Sequence, residues 1–223
     1  MHRAMALDIK ICGLKTPDAL DAALAGGASH VGFIFFGKSP RNVTPQTAGE
    51  LREAAHGKAS AVAVTVDADD TFLDAIVATM SPDMLQLHGK ETPERVAAVK
   101  ARYGLPAMKA IAVSEPADLA AIDPYRGIAD RFLLDAKPPR GAELPGGNGV
   151  AFDWRILAGL DPDIDYMLSG GLDAGNVGRA LGLARPRGVD ISSGVERAPG
   201  EKDTALIAEF FHAIGAARGG KAA

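Results

Sequence analysis

The sequence predicts a closed (β/α)8 barrel, an eight-stranded parallel sheet enclosed by helices, in a single domain that spans residues 1–223. Eight short apolar runs recur 22 to 34 residues apart, a helical pattern follows each, and no linker interrupts the series. This spacing accommodates a strand, a crossover helix and two loops, as parallel strands require. The runs begin at Asp8, His30, Ser60, Met84, Pro106, Arg131, Asp165 and Gly188.

The segments between the runs have the start signals and the periodicity of helices. Proline at the first helical position removes no hydrogen bond that the helix needs, and four segments start in this way. These starts are Thr16-Pro17, Thr44-Pro45, Thr92-Pro93 and Glu115-Pro116. Apolar stripes at helical spacing predict helices over 71–80 and near the carboxyl end of the chain. The stripes contain Phe72, Leu73, Ile76, Val77 and Met80, and then Leu206, Ile207, Phe210, Phe211 and Ile214.

An open, doubly wound sheet is the competing architecture. That fold more often has five or six strands and a glycine-rich phosphate loop after the first strand. Here the first run is followed by Cys12-Gly13-Leu14-Lys15, which is not such a loop. Eight units, with Gly/Ser-rich turns after the seventh and eighth, favour the barrel. The only long irregular stretch is 138–149.

Composition excludes several classes of protein. Apolar residues make up 47% and charged residues 23%, which is ordinary for a globular chain and unlike a disordered one. The net charge is −4 with no basic patch, so we expect no nucleic-acid partner. The single cysteine rules out an intrachain disulfide and a multi-cysteine zinc site. No apolar run approaches a membrane span or a signal peptide, so we expect no membrane partner and a cytoplasmic location.

The ends of the first and sixth strands offer two groups that can move protons. Alternation along a strand points Lys10 and Cys12 into the barrel, with Cys12 at the rim where barrel active sites lie. Cys12 is either a buried structural thiol or a nucleophile or base whose pKa a nearby cation lowers. The same alternation points Asp135 inward, either as a loop anchor or as an acid facing the thiol. We also expect the buried Lys10 ammonium to pair with Asp190 on the adjacent eighth strand.

The remaining candidates are binding residues at the same rim. The turns Ser169-Gly170-Gly171 and Ser192-Ser193-Gly194 are either simple tight turns or a phosphate site built from backbone amides. Arg41 could hold a substrate carboxylate or be a solvated loop charge. His88 could contact the substrate or make a structural hydrogen bond, and one rim histidine is too little for a metal site.

Several motifs spread along the chain resemble those of the phosphoribosylanthranilate isomerase family. They are KICGLKTPDAL (10–20), HVGFIFFGKSPRNVTP (30–45), LQLHGKE (85–91), LLDAK (133–137), GGNGVAFDW (146–154), LSGGLDAGNV (168–177) and GVDISSGVE (188–196). One departure is Asn148 in GGNG, where the family pattern leads us to expect threonine.

The resemblance implies a (β/α)8 enzyme of tryptophan biosynthesis that needs no cofactor and acts on a small phosphoribosyl substrate. Its reaction is the Amadori rearrangement of N-(5-phosphoribosyl)anthranilate, with Asp135 as general acid and Cys12 as general base. Arg41 would hold the anthranilate carboxylate, and Gly171 with Ser192–Gly194 the phosphate. We include His88, Gly170 and Asp190 among the expected substrate-binding residues, and expect a monomer or a homodimer.

Other barrels that bind phosphosugars remain alternatives. A ribulose-phosphate epimerase would need several metal-ligating His and Asp residues at the rim, whereas this chain offers one rim histidine. The related isomerase of histidine biosynthesis resembles a site with two aspartates, whereas the first strand here ends in Cys12. A barrel that only binds a phosphoribosyl ligand would need neither Cys12 nor Asp135.

Overall fold

The eight predicted strands form one closed parallel barrel in chain order, as expected. The structure is a computed structural model that describes residues 7–138, 141, 146–147, 149 and 151–219. The strands are β1 (Asp8–Cys12), β2 (His30–Phe35), β3 (Ser60–Thr65), β4 (Met84–Leu87), β5 (Ala107–Val113), β6 (Arg131–Ala136), β7 (Tyr166–Leu168) and β8 (Gly188–Ile191). A two-stranded antiparallel hairpin, β9 (Glu196–Ala198) and β10 (Glu201–Lys202), follows the barrel. That the chain is a single domain stays a prediction.

Six α-helices surround the sheet in the described part of the chain. They are α1 (Pro17–Gly26), α2 (Pro45–Ala55), α3 (Asp70–Met80), α4 (Pro93–Tyr103), α5 (Val177–Ala184) and α6 (Thr204–Gly219). Threonine side chains cap three of them, because Thr16, Thr44 and Thr92 accept hydrogen bonds from backbone amides of the first turn. None of the described helices combines the length and the apolar character that crossing a bilayer requires.

Two crossovers differ from the predicted α-helices. Pro116–Tyr125 and Trp154–Gly159 are 3-10 helices, which have tighter turns. The predicted start at Glu115-Pro116 is present and carries a capping box with Asp118, but Pro124 inside the segment lacks an amide hydrogen and cannot continue an α-helical ladder. The stripe predicted in α3 is also narrower than expected, because Phe72 is 40% exposed at the edge of the packed face.

Side chains alternate between the two faces of the barrel wall. Ile9 and Ile11 of β1 point outward into the main core between the sheet and the helices, as predicted. Inside the barrel, a small apolar cluster fills the space between strands β5, β6 and β7. It consists of Met108, Leu133 and Met167, which are fully buried. The barrel interior is therefore packed rather than hollow, and the open space is confined to its carboxyl end.

A fully buried ion pair joins the first strand to the last. Lys10 Nζ donates to Asp190 Oδ1 at 2.7 Å, which confirms the predicted pairing, and the two residues are register partners in the β1–β8 ladder. Ser169 of the turn after β7 donates to the other carboxylate oxygen at 3.3 Å. Burial lowers the pKa of Lys10, but the Asp190 and Cys12 charges outweigh it and raise that pKa to about 12. The ammonium thus stays charged inside the barrel.

We expect Asp190→Asn to destabilise the fold strongly, because it leaves the Lys10 ammonium buried without a counter-charge. Removing one partner of a buried pair typically costs about 3–5 kcal/mol, whereas replacing both with apolar groups costs far less. Urea unfolding at pH 7 measures this, and the double variant Lys10→Met/Asp190→Leu should recover most of the loss. A loss below about 1 kcal/mol for Asp190→Asn would contradict the account.

Candidate active site

One cavity opens at the carboxyl ends of the strands, and the predicted site residues converge on it. Its volume is about 810 Å³, including its open mouth. All the predicted residues except Gly194 line it: Cys12, Arg41, His88, Asp135, Gly170, Gly171, Asp190, Ser192 and Ser193. Gly194 lies in the same turn as Ser193, beside the lining. Sequence alternation therefore located the cavity and most of its wall.

Cys12 lies at the top of β1 beside the Lys10 ammonium, and Gly32 of β2 makes room for both. A Cβ atom at Gly32 would lie 2.9 Å from the Cys12 sulfur and 3.1 Å from Lys10 Nζ. Burial raises the pKa of the Cys12 thiol, and the opposing effect of Lys10 is smaller, so the net shift is upward. The expectation of a lowered thiol pKa is therefore wrong for the free site. The cation is where it was expected, but the loss of solvent outweighs it.

Asp135, at the end of β6, faces the cavity next to His88. Asp135 Oδ1 accepts a hydrogen bond from the Ala136 amide at 2.9 Å, and Oδ2 lies 3.4 Å from His88 Nε2. The Gln86 amide nitrogen is 2.9 Å from His88 Nδ1, so in this orientation the ring proton is on Nε2, toward Asp135. Gln86 was missed, although alternation along β4 between Leu85 and Leu87 would have placed it inward.

Arg41 is neither solvated nor fully free to receive a ligand. It is 4% exposed, and its Nε and Nη2 atoms donate to the two carboxylate oxygens of Glu196 at 2.7 and 2.8 Å. Nη2 also donates to the carbonyl of Gly147 at 3.3 Å. The interpretation of Arg41 as a solvated loop charge is therefore wrong. Glu196 lies inside a quoted motif, but the sequence gave no reason to assign it a partner 155 residues away.

Lys202 of β10 completes a buried network beneath Arg41. Its ammonium donates to Glu196 at 2.6 Å and to the carbonyl of Ser192 at 2.8 Å. Ser192 in turn donates through its hydroxyl to the carbonyl of Cys12 at 3.1 Å. Burial lowers the pKa of Lys202 to about 8 against the attraction of Glu196. Burial raises the pKa of Glu196, but Arg41 and Lys202 outweigh it, and the net shift is downward.

The two glycine-rich turns pack against each other at the far side of the cavity. Gly170 and Gly171 have φ values of 85° and 62°, the left-handed region that favours glycine. A Cβ atom at Gly194 would overlap the carbonyl of Leu172, so the turn after β8 approaches the turn after β7 as closely as backbone allows. The loop after β6 also reaches the cavity through Gly146, which lies against Asp135 and His88. Asn148 of that loop lies outside the described residues.

Comparison with known proteins identifies the family. The family model of N-(5'-phosphoribosyl)anthranilate (PRA) isomerase matches residues 9–213. The chain belongs to the PRA isomerase family. A relative from Mesorhizobium japonicum named N-(5'-phosphoribosyl)anthranilate isomerase is 74% identical over 98% of this chain and its own whole length. One of the same name from Chelativorans sp. is 70% identical over 96% of this chain and 99% of its own. The chain is accordingly an enzyme, an isomerase of this family.

Solved structures of the same family share the fold. A phosphoribosyl anthranilate isomerase from Thermotoga maritima superposes with a TM-score of 0.84 at 33% identity, covering 96% of this chain and all of that one. Another was crystallised in complex with reduced 1-(o-carboxyphenylamino)-1-deoxyribulose 5-phosphate. It superposes with a TM-score of 0.82 at 29% identity and the same coverage. The barrel and its strand order are therefore those of the family.

Alkylation of Cys12 should report the raised thiol pKa. The thiolate is the reactive form, so iodoacetamide should react slowly at neutral pH and faster as the pH passes above the ordinary thiol value of 9.0. Because Cys12 is the only cysteine, mass spectrometry of the intact chain measures the rate directly. A small thiol such as N-acetylcysteine, run in parallel, is the control. A midpoint below that of the control would show that Lys10 outweighs burial.

Proposed function

We propose that this enzyme converts N-(5-phosphoribosyl)anthranilate to 1-(2-carboxyphenylamino)-1-deoxyribulose 5-phosphate in tryptophan biosynthesis, with Asp135 as general acid and Cys12 as general base. The observation that carries the proposal is that one cavity is lined by a thiol, a carboxyl group, a guanidinium and two glycine-rich turns. The rearrangement moves hydrogen within one molecule, so it needs no cofactor.

Ring opening is assigned to Asp135. Its carboxyl proton goes to the furanose ring oxygen, which takes the electron pair of the breaking bond to C1. The nitrogen lone pair forms the C1=N double bond of an iminium ion. The amide of Ala136 occupies Asp135 Oδ1, which leaves Oδ2 toward the cavity and His88. A proton donor fixed in this way suits general acid catalysis, because its geometry is set before the substrate arrives.

Proton removal from C2 is assigned to the Cys12 thiolate. The C–H electron pair becomes the C1=C2 double bond and the C1=N pair returns to nitrogen, which gives an enolamine that tautomerises to the ketone. In the free site burial favours the neutral thiol. The iminium charge adds to that of Lys10 once the ring has opened, and a second nearby cation favours the thiolate. The base is thus generated at the step that uses it.

Anion recognition is divided between Arg41 and the glycine-rich turns. The anthranilate carboxylate would bind Arg41, and the phosphate would bind backbone amides of Gly171, Ser193 and Gly194. His88, Gly170, Asp190 and Ser192 complete the proposed binding wall. The proposed partner is therefore a small phosphoribosyl substrate. Since a T. maritima isomerase of the family is described as dimeric, both a monomer and a homodimer remain options for this chain.

Cys12→Ser and Asp135→Asn should each abolish most turnover while leaving ligand affinity near normal. An alcohol is a far weaker base than a thiol, and an amide cannot protonate the ring oxygen, yet both keep the size of the original side chain. General acid–base groups contribute about 10²–10⁴-fold each, so kcat should fall by that range. The assay follows the loss of anthranilate fluorescence, with Asp123→Asn on the surface as control. A loss below about tenfold in either variant would refute that residue's role.

The phosphate should bind through the main chain. We expect a crystal soaked with product to show the anion on the amides of Gly171, Ser193 and Gly194, because SGGLDAGNV and ISSGVE contain no lysine or arginine. The Lys202 ammonium is also committed to Ser192 and Glu196. An anion held chiefly by cationic side chains would contradict this prediction. Gly194→Ala, which would push the Leu172 carbonyl away, should weaken binding of inorganic phosphate.

A further inference from the structure

We propose that Glu196 and Lys202 are positioning residues that set how Arg41 recognises the substrate carboxylate, Glu196 by fixing its direction and Lys202 by preserving its charge. The inference rests on the proposed function, which supplies the carboxylate. Neither residue lines the cavity, so both would act through Arg41 and not on the substrate itself.

Glu196 leaves Arg41 with one edge for a ligand. A guanidinium offers two bidentate edges, one formed by Nε and Nη2 and the other by Nη1 and Nη2. Glu196 occupies the first with both of its oxygens, at 2.7 and 2.8 Å. The remaining hydrogen of Nη2 points to the carbonyl of Gly147 at the cavity wall. A substrate carboxylate therefore binds end-on, across Nη1 and Nη2, in a direction that Glu196 determines.

The carboxylate that holds Arg41 is itself immobile. Glu196 Oε1 accepts from Lys202 at 2.6 Å, and Oε2 accepts from the Gly200 amide at 3.2 Å. Lys202 is anchored in turn by the carbonyl and the hydroxyl of Ser192, at 2.8 and 3.2 Å. The hairpin is thus tied to the end of β8. Arg41 is oriented by a rigid group, which is what a site selecting the position of a charge on a ligand requires.

Lys202 also determines the net charge of the network. Glu196 alone would neutralise Arg41 and remove its attraction for an anion. With Lys202 present, two cations share one carboxylate and a net charge of +1 remains. The three side chains are 5%, 4% and 2% exposed, so solvent screens this charge weakly. The excess positive charge is available to the ligand only at Arg41, because Lys202 spends its hydrogen bonds on Ser192 and Glu196.

Three stable ligands separate positioning from structure. They are the reduced product with its carboxylate ortho to the nitrogen, the same compound with the carboxylate meta, and the compound without a carboxylate. Calorimetry measures the Kd of each. Binding is preferred to turnover here because the charge of Lys202 also acts on the Cys12 thiol.

Glu196→Gln should reduce the preference for ortho over meta at least about fivefold, because Arg41 loses its fixed direction, while the ligand without a carboxylate changes less than about twofold. The matched control is Glu201→Gln in the same hairpin. Glu201 pairs with Arg197 at an exposed site, and its variant should bind like the wild type. An unchanged ortho-to-meta ratio, or equal weakening of all three ligands, would overturn the positioning role of Glu196.

Lys202→Met should weaken the ortho and meta ligands together by about tenfold or more, since a unit charge is lost close to the carboxylate. The ligand without a carboxylate should be unaffected, and equal weakening of all three would overturn the role of Lys202. Failure of the proposed function is distinguishable. In that case the wild type neither turns over the phosphoribosyl substrate nor binds the ortho ligand, and the inference falls with it.

Discussion

The ion pair between Lys10 and Asp190 constrains both the barrel and the site above it. An ammonium cannot remain charged in the barrel interior without a nearby counter-charge, so β1 and β8 must close in the register that brings the two together. Because alternate residues of a strand share a face, that register also places Cys12 beside Ser192, two residues further along each strand. Their hydrogen bond at 3.1 Å is the first contact of the catalytic rim.

Lys10 has two anionic neighbours to satisfy, and this determines the chemistry of Cys12. The Asp190 carboxylate makes the short hydrogen bond to the ammonium, and its own charge disfavours a second anion nearby. The thiol therefore stays neutral in the free site although a cation lies next to it. Gly32 keeps sulfur and ammonium in contact, so a small change in local charge suffices to shift the thiol toward its anion. Such a group is a strong base that is ionised only on demand.

The sequence predicted whatever follows from strand periodicity. The barrel, the inward Cys12 and Asp135, and the Lys10 pairing depend only on alternation and on closure. Glu196 and Lys202 lie beyond the end of β8, where no period tells which way a side chain points, and their partner Arg41 is 155 residues away for Glu196. The 3-10 crossovers were missed for a related reason, since helix type depends on the space between neighbouring strands and helices as well as on the local pattern.

Buried charges at the carboxyl end fix loops that apolar packing cannot fix. A loop around a polar cavity has little apolar surface to bury, and its backbone needs specific partners. Lys109 and Glu91, each 3% exposed in its side chain, hold the loop after β4 through the carbonyl and the amide of Gly89. That loop carries His88 to Asp135, as the Glu196 network carries Arg41 to the cavity. Apolar replacements of such pairs often match them in stability, so their value here lies in the directions they impose on the side chains above them.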